Sequence, residues 1–371
     1  MSHVIVLGAG VIGLSSALLI QAQGYQVTIL ARDFPGPFET IDTKTQINYT
    51  SPWGGAHNRM VPPTNAVEER EHAMSIATFR RMRALHGRHP EAGLSFMKGI
   101  EYLEAPGPQY LAITDEKAKE MGMERFRLLK PEELPGKVKW GCEYDTWCVN
   151  PMVYCSFLLR RFVFAGGKVV KREVREPVEI FAITELGPVD VVVNASGNGF
   201  GDKNVFITRG ITTPRHLASF AVLTESAGQT CLVDNNTCSA TITRQNADGT
   251  WAFCIPRNFD GGTIIGGTKE PNDWNPNPSP ETRARLLRTF TAAFPQVLGD
   301  VNELKVIQDI VGRRPTRKGG MRLEKEAVTR DKCIIHAYGL GGRGYELSWG
   351  VAEGVMKLLA ENTKTARHTR L

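Results

Sequence analysis

Six residues near the start, Gly8-Ala9-Gly10-Val11-Ile12-Gly13, have the types and spacing to hold a diphosphate. Gly8 allows a tight turn, Gly10 lets the backbone approach a pyrophosphate, and Gly13 lets a helix pack close to a strand. The amides and positive dipole end at the start of that helix then favour the anion. The elements that must position these residues are legible around them. An apolar strand, His3-Val4-Ile5-Val6-Leu7, leads in, a helical run covers 14–23, Gly24-Tyr25 turns, and a second strand covers 26–30. The spacing alone does not separate NAD from FAD. The acidic residue expected at the end of the second strand is displaced; the strand ends Ala31-Arg32-Asp33, so Arg32 and Asp33 become the candidates for ribose and phosphate contacts.

Further pieces of the same kind return later in the chain. Lys168-Val169-Val170-Lys171 and Val189 to Asn194 are β-branched runs of buried-strand type. The second closes on Ala195-Ser196-Gly197, small residues that let a backbone pass near a cofactor. A strand over 334–338 leads into Gly339-Leu340-Gly341-Gly342-Arg343-Gly344 and a helical run from about Ser348 to Glu361, a second glycine-rich strand-to-helix junction. Other segments differ in character. Residues 66–86 carry Met74, Ala77, Met82 and Leu85 on one helical face. Residues 206–270 alternate like an antiparallel sheet, and Ser279-Pro280 opens a helix with a cap and a proline at its first position. The expected architecture is α/β, with a Rossmann-like cofactor domain (1–58, 136–205, 300–371) interleaved with an antiparallel-sheet substrate domain (59–135, 206–299).

Bulk properties narrow the function classes. A chain of 371 residues exceeds one ordinary core and predicts two domains. The net charge of +6 is modest, and no Lys/Arg stripe interleaved with aromatics appears, so nucleic acid is not an expected partner. No apolar run is long enough to span a bilayer, and no basic region precedes the first strand, so an intracellular protein is expected. The seven cysteines are scattered with no C-x-x-C pair, which predicts neither a metal site nor a disulfide framework. Cys231 and Cys238 bracket a short Asp/Asn-rich loop that a bond between them would staple, but buried or free thiols are the expected state in a reducing compartment.

Seven landmarks, in order, resemble the FAD-dependent D-amino acid oxidase family, including the D-aspartate oxidases. They are Val4 to Ala17, Ser51-Pro52-Trp53-Gly54-Gly55-Ala56, Tyr144-Asp145-Thr146, Val193-Asn194-Ala195-Ser196-Gly197, Ile265-Gly266-Gly267-Thr268, Val311-Gly312-Arg313-Arg314-Pro315, and His336-Ala337-Tyr338-Gly339 with Ser348-Trp349-Gly350. The resemblance implies FAD and hydride transfer from the substrate Cα to flavin N5, giving a 2-oxo acid, ammonia and hydrogen peroxide. Such a step needs orientation more than a general base. Besides the glycine motif with Arg32 and Asp33, the resemblance places Lys44, Thr45, Ser51, Gly55, Ala56, Asn58, Val174, Ser196, Gly197, Arg314, Gly341, Gly342, Gly344, Tyr345 and Glu346 around the cofactor. It makes Arg314 the anchor of the substrate α-carboxylate, a role that suits a guanidinium fork, with Gly342 also on the substrate side. The family's carboxylate tyrosine is replaced here by Phe253.

The same resemblance points to an acidic substrate. Lys269 follows Gly-Gly-Thr where relatives acting on neutral substrates carry uncharged residues. Arg244 lies in a segment, 231–250, read as a lid, and His57 and Asn58 follow Gly55-Ala56 toward the flavin ring. A buried anion needs such cationic or hydrogen-bonding partners. D-Aspartate, with D-glutamate beside it, is the expected substrate; neutral D-amino acids are the alternative, and a non-catalytic dinucleotide-binding protein is the alternative from another class. The final Thr369-Arg370-Leu371 resembles a peroxisomal address. The expected partners are therefore a D-amino acid, oxygen, a peroxisomal import receptor and a second copy in a homo-oligomer, with no membrane.

Overall fold

A computed structural model describes residues 3–37, 40, 47–208, 226–235, 237–268, 270–271, 275, 277–294 and 304–368. Lys44, Thr45, Lys269 and Thr369 to Leu371 lie outside them. The chain divides into two compact units, one made of Met1–Asp42, Met152–Phe206 and Pro315–Leu371, the other of Thr43–Pro151 and Ile207–Arg314.

The first unit is an α/β layer structure. Its six-stranded sheet runs Arg322–Ala327, Cys333–Tyr338, Val191–Asn194, His3–Leu7, Gln26–Ala31, Lys168–Lys171. All neighbours are parallel except the first pair. The central strand His3–Leu7 is buried along its length, as a parallel strand covered on both faces must be. Helix Val11–Ala22 buries Val11, Ile12, Leu14, Ala17 and Ile20 and packs against the helix Gly344–His368. Each large aliphatic side chain buried there contributes roughly 1.5–3 kcal/mol. The last helix starts at Gly344, earlier than its apolar periodicity indicates. Lys168–Lys171 is a largely exposed edge strand and not the buried strand that its valines imply, because a sheet edge leaves one side unpaired.

The second unit is built on a nine-stranded sheet. Its main path runs Glu270–Pro271, Ser226–Val233, Thr263–Gly266, Trp251–Pro256, Ala240–Gln245, Leu94–Leu103, Trp140–Val149, Arg127–Leu128, and Val306–Gly312 also pairs with Ser226–Val233. The helix Pro280–Ala293, capped by Ser279 whose Oγ accepts from Thr282 N at 3.1 Å, puts Leu286 and Phe290 into one apolar cluster with Ile242, Ala252, Cys254 and Ile265. The pairing moves three domain boundaries from their expected places. Trp140–Val149 pairs along its whole length with Leu94–Leu103, and Val306–Gly312 pairs with Ser226–Val233. Residues 43–58, 136–151 and 300–314 therefore fall in the second unit. Two other expectations are corrected. The segment 231–250 is not a lid, since the strands Ser226–Val233 and Ala240–Gln245 lie inside the sheet. The helix Ala66–Arg88 turns a different face inward: Glu71, Ser75, Thr78, Phe79 and Met82 are buried, while Met74, Ala77 and Leu85 are only partly so.

All seven cysteines are free and buried. Cys231 bonds Asp309, and Cys238 lies 3.4 Å from Cys254 instead, so Cys231 and Cys238 form no staple.

Candidate functional site

In the first unit the glycine-rich turns stand together at the carboxyl ends of adjacent parallel strands, where open α/β sheets bind ligands. Gly8 has φ +112°, and a Cβ there would lie 2.5 Å from the Ala195 carbonyl oxygen; a Cβ on Gly13 would lie 1.9 Å from the Gly8 carbonyl oxygen. Only hydrogen fits at either place. Gly10 caps the helix Val11–Ala22 with no side-chain oxygen, and no acidic residue occupies its first turn, so no carboxylate of the first turn competes for the positive helix end. Ala9, Val11 and Ile12 are buried beside it. The next turn is held by Ala195 N donating to Leu7 O at 2.9 Å, by Ser196 N donating to Asn194 Oδ1 at 3.3 Å, and by Gly339 N donating to Gly197 O at 3.1 Å. Gly341, at φ +58°, lies against Thr316. Gly342 is exposed and Gly344 opens the last helix.

Other residues expected around the cofactor have protein partners. Arg32 donates to Asp33 at 2.9 Å and to Glu173 at 3.4 Å. Val174 packs on the apolar cluster of Ile5, Leu7 and Leu30. Glu346 accepts from Arg343, and the Tyr345 hydroxyl lies 3.2 Å from the buried Cys155 thiol. Their side chains are thus engaged within the protein.

In the second unit the segment from Ser51 to Met60 runs beside the strand Trp140–Val149. Val149 N donates to Ala56 O at 2.8 Å, Asn58 N to Trp147 O at 3.0 Å, and Thr146 Oγ1 to Asn58 O at 2.8 Å. A Cβ on Gly55 would touch Ile255 at 3.0 Å and the Phe253 ring at 3.7 Å. This places the segment on the sheet face that carries Phe253. The Phe253 ring is closed over Gly266 and Gly267, where Cβ atoms would meet it at 2.3 and 2.6 Å. It supplies shape and no hydrogen bond. The other end of the segment is tied to the arginine pair by Thr50 Oγ1, which donates to Arg313 O at 2.8 Å.

Three polar atoms on this segment, Trp53 Nε1, His57 Nδ1 and Asn58 Nδ2, are buried and make no hydrogen bond among the described residues. Ser75 Oγ donates to Asn58 Oδ1 at 3.1 Å, which orients the amide. Burial, reinforced by the Arg59 charge, pushes the His57 imidazole down to about 3, so the ring is neutral. Burial also pulls the Arg314 guanidinium down to about 10, which leaves it a cation at neutral pH.

Arg244 does not join this group. It donates to Glu104 at 2.7 Å, and Arg244 pulls the Glu104 carboxyl below the usual carboxylate range. Its register partner is Ala252, whereas Thr243 is opposite Phe253. Successive residues of a strand point to opposite faces, so Arg244 lies on the face away from Phe253. The sequence also concealed a buried ion pair on the Phe253 face. Arg59 Nε donates to Glu101 Oε1 at 2.7 Å with a second bond from its Nη2, and Tyr144 donates to the same carboxylate at 3.1 Å. Glu101 at an inward-facing position of an alternating strand was the available signal, but its partner is far away in sequence.

The chain belongs to the FAD dependent oxidoreductase family, whose model matches residues 3–358. It is 40% identical to a protein named D-aspartate oxidase from Talaromyces thermophilus, over 100% of this chain and 98% of that one. It is 31% identical to a D-amino-acid oxidase from Fusarium vanettenii, over 98% of each. Among solved structures, glycine oxidase from Bacillus cereus ATCC 14579 superposes with a TM-score of 0.66 at 14% identity, covering 97% of this chain and 95% of that one, which shows the shared fold. The protein is thus an FAD-dependent oxidoreductase, as the sequence landmarks imply. The residues present fit the cofactor. At Gly8 and Gly13 a Cβ would strike the Ala195 and Gly8 carbonyl oxygens, so only glycine lets strand, turn and helix pack as closely as a pyrophosphate cradle requires. The unbonded buried polar atoms of the second unit, two of them the Trp53 and Asn58 N–H donors, each cost about 1–3 kcal/mol when unpaired and suit a polar ligand.

Proposed function

We propose that the protein oxidises acidic D-amino acids, D-aspartate first and D-glutamate beside it, to the 2-oxo acid and ammonia. FAD, when bound, takes up the two electrons; oxygen then receives them as hydrogen peroxide, and water hydrolyses the imine. The observation that carries this reading is the full-length 40% identity to a protein named D-aspartate oxidase. The site chemistry supports it. Arg314 offers a desolvated cation to the α-carboxylate, and Asn58 offers an amide donor. A neutral His57 adds no charge of its own. No general base is called for, provided the substrate amine is neutral when it reacts.

A second reading, oxidation of neutral D-amino acids, has one observation in its favour: Arg244 is engaged by Glu104 and is not available to a second carboxylate. The test is flavin bleaching under anaerobic conditions with D-aspartate, D-glutamate, D-alanine and L-aspartate. Rapid bleaching by the first two alone supports the acidic reading, and faster bleaching by D-alanine establishes the second. Lys269 is the remaining cation proposed to read the side-chain carboxylate. Lys269→Met is expected to lower kcat/KM for D-aspartate by roughly tenfold to several hundredfold, the equivalent of a few kcal/mol for one partner of a charge-assisted pair. D-Alanine turnover is expected to stay within about twofold. An equal fall for both substrates would mean that Lys269 supports the fold or the flavin.

We also propose that the protein enters peroxisomes through Thr369-Arg370-Leu371, a basic penultimate residue followed by leucine. Release of peroxide fits that compartment. A fluorescent fusion ending at Leu371 is expected in punctate organelles, and one lacking these three residues is expected in the cytosol. Identical diffuse distributions would remove the proposal.

A further inference from the structure

The Arg59–Glu101 pair has no evident reason to exist for stability alone. Both side chains are under a tenth exposed, 7% and 6%, and a buried ion pair commonly contributes no more than well-packed apolar residues of the same volume. Its surroundings explain its geometry. Tyr144 donates to Glu101 and accepts from Met60 N at 3.2 Å. The Arg59 guanidinium lies 4.8 Å from the centre of the Trp251 ring. Trp251 is two residues before Phe253 in the same strand and so lies on the same face. Arg59 therefore joins the segment carrying His57 and Asn58 to two strands of the sheet at once, through a fork that fixes angle as well as distance. The pair is neutral as a whole, yet its cationic end is the one that acts on His57.

We propose that the Arg59–Glu101 pair, braced by Tyr144 and Trp251, is a positioning device that sets His57 and Asn58 to receive the side-chain carboxylate of the substrate. Arg59 spends Nε and Nη2 on Glu101 and is assigned a positioning role rather than a ligand's. It acts through the neighbouring residues and presents a positive potential there without adding net charge to the interior. The inference rests on the acidic-substrate reading above.

The test compares the parent holoenzyme with Arg59→Met/Glu101→Gln, which keeps the volume, removes both charges together and leaves no unpaired ion. The ratio of kcat/KM for D-aspartate to that for D-alanine is measured along with FAD affinity and the thermal midpoint. The expected result is a fall of at least tenfold in the ratio, with D-alanine turnover and FAD affinity changed by less than threefold. A merely structural role would lower both substrates together, and that outcome overturns the inference. If the double variant does not accumulate as holoenzyme, Tyr144→Phe is read in its place. Loss of that one hydroxyl is expected to lower the same ratio at least threefold, and an unchanged ratio overturns the inference. A parent that shows no preference for D-aspartate overturns the substrate reading and this inference together. A selective parent with unaltered variants overturns only the latter.

Discussion

Arg314→Ala is expected to lower kcat/KM for D-aspartate by roughly 150-fold to several thousandfold, the kinetic equivalent of about 3–5 kcal/mol for stripping one partner from a buried ion pair. The size follows from burial. Arg314 is partly buried, and a charge-assisted pair in such a place is screened far less than one at the surface. Arg314→Lys keeps the charge and loses the fork, and an intermediate fall is expected. D-Alanine carries the same α-carboxylate, so its turnover should fall by a similar factor, in contrast to Lys269→Met. The measurement is the rate of flavin reduction at low and saturating substrate, with flavin absorbance as the control for loading. An Arg314→Ala enzyme within threefold of the parent would remove the anchor from this residue.

Gly13→Ala is expected to give a largely colourless protein, with FAD affinity reduced at least a hundredfold. The smallest possible side chain would sit 1.9 Å from the Gly8 carbonyl oxygen, and neither that strand end nor the helix can move without reshaping the turn that meets the pyrophosphate. Gly24 is the comparator. Unlike Gly13, which is helical, it has positive φ, +84°, but a Cβ there meets nothing within 4 Å. Gly24→Ala should cost at most about 1–2 kcal/mol of stability through backbone strain and leave flavin content unchanged. Equilibrium titration of apoprotein with FAD, followed by fluorescence quenching, reads both variants. Equal affinities would show that close helix-to-strand packing at Gly13 is not what makes the cradle.

The glycine motif and Arg314 can both be singled out from the sequence, for different reasons. The glycine motif is local: turn, helix start and strand end lie within a few residues of each other, so their chemistry is written in one window. Arg314 needed the surrounding pattern, because a pair of arginines in isolation reads as a solvated loop. Arg244 was misplaced because local sequence gives a cation in a polar segment, whereas its direction is fixed by pairing with Tyr102 and Ala252 from other strands. A shift of one residue in that register would have turned it to the Phe253 face. Lys168–Lys171 was misread for a related reason, since β-branched composition identifies a strand without saying whether both its edges are paired. The helix Ala66–Arg88 buries Glu71, Ser75 and Thr78, and no hydrophobic periodicity marks polar residues that are buried with partners. Arg59 and Glu101 meet only because an irregular segment passes over a strand 42 residues further along the chain.

The threading of the chain has a kinetic side. Neither compact unit is a continuous stretch of sequence. The strand that starts the cofactor sheet, His3–Leu7, finds one neighbour at once in Gln26–Ala31, but its other neighbour, Val191–Asn194, is made only after the strands Leu94–Leu103 and Trp140–Val149 of the other unit. Cys333–Tyr338, which supplies the last parallel neighbour of Val191–Asn194, comes nearly at the end of synthesis. Pairings across such separations carry a large loop-closure cost and form slowly. An apolar parallel strand is therefore left waiting at the ribosome, exposed on one edge, until about the midpoint of translation. The flavin cradle is completed by the turn at Gly339 to Gly341, so cofactor uptake is a late event that closes folding. The edges that wait during synthesis are therefore paired before the cradle is complete.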